Sequence, residues 1–471
     1  MLLFGIAAYI LQFIIFKMYY WGASYCIDSV EYLLQAHWNN EAYTLRSVGY
    51  SKFLWIFSLF SHSDLLIVTV QYVFVQLAGL FFLFTIYFCF QSGKIVKMVL
   101  AAFFICNPAP LYLANYILSD CIFMGLSLLW FAVLIRMIHH VESWQKYIVC
   151  ILLLCLLALR YNAFYYPIIT LLAVLFSSQR WPRKLIGIVV NWSLPVLFVI
   201  YVINKEYHKT GTRQFEPFSG WVLANNALIM YQHVADAKNE DVPERFLQLH
   251  KTVRAFMDTA RIMQFRKSSS DIDPFYMWNT ASPLRKYAES NWREKKQFDF
   301  YKAFHMQGVF YEQYGLNLIR KYPLLYLRYY VWPNGLLYCA PDLERLGFYI
   351  HTPANMSANI KGIDSPDSLM ALLKSSENVD VLKWYPYFGF IINGLTLFMI
   401  LEFLIYRDAA IGLKSHRNIL WLMIFFWLAN MVFSICASPV YLRFQIFPIT
   451  IFFTFCLVTA ELLHWRNREQ S

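Results

Sequence analysis

The feature that most constrains this chain is the recurrence of apolar segments about twenty residues long, the length an α-helix needs to cross a bilayer. Residues 65 to 90 hold no Asp, Glu, Lys or Arg at all. Backbone polar groups find no water in hydrocarbon, so segments of this kind must close their hydrogen bonds internally as helices. Ten are expected, over residues 1–20, 65–90, 97–114, 119–138, 146–160, 163–178, 185–203, 385–406, 418–436 and 443–463. The fifth and sixth are short and meet at a polar break, Arg160-Tyr161-Asn162. The first lacks a basic leader and a small-residue cleavage site, so it reads as a helix rather than a removed signal.

Composition agrees. Only 15% of the 471 residues are charged, against about a quarter in soluble domains. The formal charge of +11 would suit a nucleic-acid partner, but the basic residues lie in short clusters between apolar segments, which is a membrane-sidedness pattern. Lys94 and Lys97, Arg136 and Lys146, Arg180, Arg183 and Lys184, then Arg407, Lys414 and Arg417, with Arg466 and Arg468, mark the cytoplasmic side. The opposite connections are nearly bare, and nucleic acid is not an expected partner. The nine cysteines are scattered in apolar surroundings, without the Cys/His spacing of a zinc site. No Walker A or GxGxxG loop appears, which argues against an ATP-driven pump.

The expected fold is therefore an all-α polytopic membrane protein with a membrane module over 1–204, an extracytoplasmic, mainly helical domain over 205–384, and three further spans and a short tail over 385–471. The first outer loop, 21–64, is expected to hold an interfacial helix whose apolar face is Val30, Leu33, Leu34 and Trp38, then a turn at Gly49 into an amphipathic helix. Helices are expected around 242–267 and 292–320, turns at SSSDIDP and GIDSPDS, and an interfacial or re-entrant element at YPLLYLRYYVWPNGLLY. His305 and His351 are expected to be solvated.

Five charged residues stand at outer helix ends under this topology: Asp28, Arg46, Asp120, Arg160 and Arg443. Each has a structural explanation. Asp28 precedes Glu31 by three residues, the spacing of an N-cap with a capping-box partner. Asp120 suits a first helical turn capped by Ser119, and Arg160 and Arg443 could be snorkelling anchors. Their convergence on one side instead suggests a site, with arginine forks suited to phosphate.

The order of these residues resembles a known family. "IDSVEYLLQA" followed by "RSVGYSKFLWIF" is similar to the first outer loop of GT-C fold glycosyltransferases of the protein O-mannosyltransferase and aminoarabinose-transferase type. "YILSDCIFMGLSLLWFAVL" resembles their fourth-helix start, "LALRYNAFYYPIITLLAVLF" their fifth-to-sixth helix turn and "YLRFQIFPITIFF" their late Arg…Pro segment. Ser51 stands where that family usually has proline, Asp120 where it has glutamate, and Ser29 where the mannosyltransferases have a second acid. The resemblance covers residues 1–205 and 436–455.

It implies an inverting transfer from a polyprenyl-phosphate sugar to a lipid, glycan or protein acceptor on the outer face of a bacterial inner membrane. Asp28 would be the base, Asp120 would position the acceptor or assist the base, and Arg160, Arg443 and Arg46 would hold the donor phosphate. A divalent metal stays open. The competing functions are a transporter or flippase for a lipid-linked saccharide and a polysaccharide polymerase or ligase.

Overall fold

A computed structural model describes residues 2–38, 46–234, 242–259, 273–293, 300–350, 376–410 and 413–465. The chain opens with α1 (Leu2–Tyr19), α2 (Ile27–Trp38), α3 (Val48–Ser58) and α4 (Asp64–Phe90), followed by α5 (Lys94–Cys106), α6 (Ala109–Ala114), α7 (Ser119–His139) and α8 (Gln145–Leu159). After a 3₁₀ turn at Tyr161–Tyr165 come α9 (Tyr166–Phe176) and α10 (Trp181–Thr210). Among the described residues, seven helices are long and apolar enough to cross a membrane, and three shorter apolar ones, Gly5–Tyr19, Gln145–Leu159 and Tyr161–Phe176, accompany them. The protein is an all-α, multi-pass membrane protein.

A second helical unit follows, built from α11 (Pro217–Tyr231), α12 (Leu247–Met257), α13 (Phe275–Trp278), α14 (Pro283–Arg293) and α15 (Phe300–Lys321). It has its own core, in which Trp221 stacks on Phe304 with ring centroids 4.5 Å apart and meets Tyr311 edge-on. α11 and α15 approach so closely that a Cβ on Gly220 would lie 1.9 Å from the Gly308 carbonyl oxygen. Only glycine fits there. The expected helix at 242–267 is α12, with 260–272 outside the described residues; the turns SSSDIDP and GIDSPDS lie wholly or mostly outside them as well.

The aromatic stretch 322–338 is helical: α16 (Pro323–Tyr326), a π turn at Leu327–Val331 and α17 (Trp332–Cys339). One stripe, Leu324, Leu327, Trp332 and Leu336, is exposed, while Tyr330, Asn334 and Tyr338 are buried. A 3₁₀ turn at Glu344–Gly347, a two-strand ribbon (β1, Phe348–Ile350; β2, Ser376–Asn378), α18 (Tyr385–Ala410), α19 (Lys414–Ala437) and α20 (Leu442–Ala460) complete the chain.

The spans pack around α7, whose Trp130 stacks on Tyr166 of α9 at 4.2 Å and donates to Thr170 Oγ1 at 3.0 Å. Polar atoms at both ends of the bundle are spent on orphan backbone groups, as a low-dielectric interior requires. At one end His416 donates to Cys89 O (2.8 Å), Asn418 to Phe176 O (2.8 Å) and Lys184 to Leu175 O (2.6 Å). Lys184, Lys414 and Arg417 stand at this end. At the other end Gln71 of α4 donates to the carbonyls of Ala114 and Tyr116, each at 2.9 Å, and accepts from Tyr50 of α3 at 2.7 Å. These bonds hold the strap that leads into α7.

Two expectations about the first outer loop change. The apolar face of α2 is not an interfacial one: Val30 and Leu33 lie in the main core, and Trp38's side chain falls outside the described residues. Gly49 makes no turn. It sits inside α3, where a Cβ would come 2.5 Å from the Ala158 carbonyl oxygen, so glycine is needed for α3 to press against the end of α8.

Candidate functional site

Two isolated backbone bridges assemble the site. Ser24 pairs in parallel with Tyr116, through Ser24 N to Asn115 O (2.8 Å) and Ile117 N to Ser24 O (3.1 Å), bringing the start of α2 beside the start of α7. Asp342 pairs with Tyr441, through Leu442 N to Asp342 O (2.7 Å), bringing the 344–347 turn beside the start of α20. Tyr116 links the two by donating to Arg345 O at 2.7 Å. Asn334 fixes the loop before α20, donating to Ile435 O and Ser438 O and accepting from Val440 N.

The side chains gathered there are four carboxylates and four guanidiniums. Asp28 Oδ1 accepts from Arg46 Nη2 at 2.7 Å and lies 3.6 Å from Arg345 Nη2. Its other oxygen accepts from Arg443 Nη1 at 3.2 Å. Arg46 also donates to Glu31 at 3.1 Å. Arg160 donates to Asp120 Oδ1, and Asp120 Oδ2 is 3.8 Å from Arg443 Nη1. Glu344 stands 3.0 Å from Arg443 Nε and 3.3 Å from Arg345 Nε.

These last two contacts are close but poorly aligned: Arg443 Nε, Arg345 Nε, Glu344 Oε2 and Asp120 Oδ2 have no hydrogen-bond partner among the described residues. Glu344 is held at φ 46°, in the left-handed region that a residue with a Cβ seldom occupies. Strained backbone of this kind typically persists only where the surroundings over-determine it.

All five residues singled out in the sequence, Asp28, Arg46, Asp120, Arg160 and Arg443, therefore meet in one cluster. Their structural explanations hold only in part, since Asp120 does lie in the first turn of α7. In α2 it is Ser29 that reaches back, accepting from the Cys26 amide at 3.0 Å, while both oxygens of Asp28 face arginines and Glu31 faces Arg46. Ser119 lies inside α7, whose N-cap is Leu118, and its hydroxyl meets Tyr32 OH at 3.0 Å. Arg160 and Arg443 turn inward: the Arg443 side chain is 9% exposed. Sequence reasoning missed Glu344 and Arg345. The only signal was an adjacent acid–base pair, too common in a charged loop to stand out.

Electrostatics follow from the geometry. Burial works against the Asp28 carboxylate, yet Arg46, Arg345 and Arg443 together outweigh it and hold its pKa well below the carboxylate range. Glu31, with Arg46 alone close by, is pushed up by burial. Among the described residues, no three His, Cys, Asp or Glu side chains converge as a metal site.

Two hollows flank the cluster. A crevice of about 50 Å³ between α7, α9, α19 and α20 reaches Asp120, Arg160 and Arg443 and is walled by Phe123, Met124, Phe433, Phe444 and Phe447. Phe444 packs against both arginines, with guanidinium-to-ring distances of 4.6 Å for Arg160 and 4.5 Å for Arg443. On the far side a cavity of about 400 Å³ touches Arg46.

His305 lines that cavity and is not solvated. It is buried, with Nδ1 2.7 Å from Glu206 Oε1. His351 lies outside the described residues.

No protein-family profile, no curated protein and no solved structure was found to match this chain.

Proposed function

We propose that the protein is a membrane-embedded glycosyltransferase that moves a sugar from a polyprenyl-phosphate donor to a hydroxyl or amine of a lipid, glycan or protein acceptor, with inversion. The observation that carries this reading is the cluster itself: a buried carboxylate, Asp28, shared by three arginines beside a crevice with an apolar wall. Arginine forks match phosphate oxygens, and an isoprenoid chain can reach them along the crevice between helices.

In this reading the three shorter apolar helices also span, giving ten, and the basic ends of the bundle face the cytoplasm of a bacterial inner membrane. The site then faces the periplasm. The polar Arg160 turn and the starts of α7 and α20 all lie at helix ends, whereas a transporter would be expected to place its charges near the midplane between broken helices.

The resting cluster holds Asp28 in a poorly basic state, because a carboxylate with three guanidinium neighbours gives up little by staying ionised. Donor phosphate changes that. As Arg443, Arg345 and Arg46 turn toward the phosphate they leave Asp28, whose proton affinity rises. An acceptor oxygen then attacks the anomeric carbon, the carbon–oxygen bond to phosphate breaks, and the lipid phosphate departs with the electron pair. The acceptor proton passes to Asp28. Asp120 acts by fixing Arg160 and, at longer range, Arg443, and the arginines stabilise charge growing on the leaving phosphate in a partly dry site.

The test is transfer from radiolabelled polyprenyl-phosphate hexose to a panel of lipid and glycan acceptors in membranes carrying the protein. Asp28→Asn is expected to cut transfer by about 10²-fold or more and Asp28→Glu to retain part of it, with Asp28→Asn melting below wild type because three arginines lose a shared carboxylate, yet folded at the assay temperature. Full transfer by Asp28→Asn would overturn the assignment.

A further inference from the structure

The four carboxylates of the cluster are not held alike. Asp28, Glu31 and Asp120 each accept at least one aligned hydrogen bond from an arginine. Glu344 accepts none among the described residues. It lies 3.0 Å from Arg443 Nε and 3.3 Å from Arg345 Nε, yet both of these N–H groups and its own Oε2 are left without a hydrogen-bond partner. Its side chain is 22% exposed, against 6% for Asp28 and 3% for Asp120. An ion pair gains most from short, aligned hydrogen bonds, so Glu344 is the carboxylate with least to lose by leaving.

Its backbone, in contrast, is fixed on both sides. Leu442 N donates to Asp342 O two residues earlier, and Tyr116 donates to the carbonyl of the next residue, Arg345, at 2.7 Å. Leu346 N closes the turn onto Leu343 O at 3.0 Å, and Val379 N holds Gly347 O at 2.9 Å. These pins over-determine the turn and account for the φ of 46° at Glu344. Departure of the carboxylate therefore needs a swing of the side chain and no rearrangement of the loop.

The arginines set the second condition. Each guanidinium of the cluster already stands within 4 Å of a carboxylate, so an incoming anion must take the place of one already there. Arg443 is the residue that the apolar crevice and Glu344 share. An anion whose apolar tail lies along the crevice meets Arg443 there, and the Nε edges of Arg443 and Arg345 are the donors left over for it. The planar carboxylate meets these two edges off-axis. The tetrahedral oxygens of a phosphate point in more directions, so each edge can find its own acceptor.

We propose that Glu344 is a resident anion: it fills, between the Nε edges of Arg345 and Arg443, the seat of a phosphate group, and the phosphate binds by displacing it. The seat follows from these contacts alone; that the phosphate belongs to a sugar donor rests on the transferase reading. Return of Glu344 after transfer then helps to expel the lipid phosphate left behind.

The experiment measures binding, not transfer. Purified full-length protein in maltoside micelles is titrated with farnesyl phosphate, with inorganic phosphate and with farnesol. Wild type should bind farnesyl phosphate and prefer it to farnesol. Glu344→Gln, which keeps the shape and removes the charge, should bind farnesyl phosphate about tenfold more tightly, because the ligand no longer competes with a built-in anion. Its melting temperature should also rise more on adding farnesyl phosphate than that of wild type, since the ligand replaces the missing anion. Glu344→Asp keeps the charge, withdraws it by one methylene and suits a left-handed φ. It should tighten binding in the same direction by a smaller factor, and it gives the reading should Glu344→Gln fail to fold.

Tightening toward both phosphates supports a seat that reads the phosphate alone, and tightening toward farnesyl phosphate only supports one that also needs the lipid tail. Unchanged or weakened affinity in the variants, farnesol bound as tightly as farnesyl phosphate, or no binding of either phosphate by any form overturns the proposal. If no donor ever gives transfer while Glu344→Gln still tightens phosphate binding, the transferase reading falls and the seat survives; transfer without that tightening does the reverse.

Discussion

The charged cluster and the larger cavity beside it share a residue, Arg46, and differ in how tightly their charges are held. In the cluster four carboxylates answer four guanidiniums, and every member lies within 4 Å of an opposite charge. The cavity is lined by Arg46, Lys52, Lys205 and Lys209 together with Glu206 and Glu216. A balanced buried network costs several kcal/mol per ion in desolvation and recovers it only through good geometry, so removal of a single partner is felt throughout. A half-buried lysine on a cavity wall, such as Lys205, is cheaper to lose. Stability should therefore be concentrated in the first region.

The sharpest break in that comparison is Arg443→Met. Arg443 touches Asp28, Asp120 and Glu344, and its loss leaves three carboxylates short of one cation. We predict a destabilisation of about 3–5 kcal/mol, read from denaturant or thermal unfolding in micelles, together with loss of transfer. Lys205→Ala in the same assay is expected to stay within about 0.5 kcal/mol, as substitutions away from buried networks do. Comparable losses in both would show that the cavity is as tightly integrated as the cluster.

Asp28→Asn sharpens the chemical side. Removing a positioned base typically costs about 10² to 10⁴ in rate, and we predict a fall of that size in transfer at saturating donor, with the affinity for a polyprenyl phosphate unchanged or tightened because the arginines are released from a competitor. Weaker donor binding would instead make Asp28 an organiser of the arginines. Its titration has a defined sign: with its folded pKa depressed, Asp28 adds stability above the ordinary carboxylate range that is lost as pH falls below it.

How much of this was visible in the sequence depends on how unusual each residue is in its surroundings. Asp28, Asp120, Arg160 and Arg443 stood out because they converge on helix ends of one side, where the connections are otherwise nearly bare of charge. Glu344 and Arg345 lie in a segment where charges are ordinary, and nothing local distinguishes them. They reach the site through the Asp342–Tyr441 bridge, a pairing between distant segments that no periodicity encodes. The same limit explains His305, whose partner Glu206 is on another helix, and Gly49, whose reason is the Ala158 carbonyl opposite. Hydrophobic period fixed where helices run; only tertiary contact shows which ends meet.

Gly49 tests whether the cavity wall is built as tightly as the cluster. We predict that Gly49→Ala, whose new methyl meets the Ala158 carbonyl at 2.5 Å, costs about 1–3 kcal/mol, the usual range for overpacking. Because α3 also carries Lys52 and Trp55, this cost is read on the cavity side of the molecule. A variant as stable as wild type would mean that α3 can shift without disturbing either region.

The smallest effect, and the one that separates the two regions by pH, belongs to Glu216. Burial pushes its carboxyl up to about 7, against the pull of Arg46 and Arg160, while Asp28 is driven the other way by more numerous arginines. A raised carboxylate pKa means that the folded protein keeps a proton which the unfolded chain has already lost, from pH 4.5 to about 7. Stability contributed by this group is thus full below that window and declines as pH rises through it. Glu216→Gln cannot lose a proton, so the melting temperature of the variant relative to wild type should climb between pH 4.5 and 7 and level off above. A difference that stays flat across the window would show that Glu216 exchanges no proton there, and would remove the contrast with Asp28.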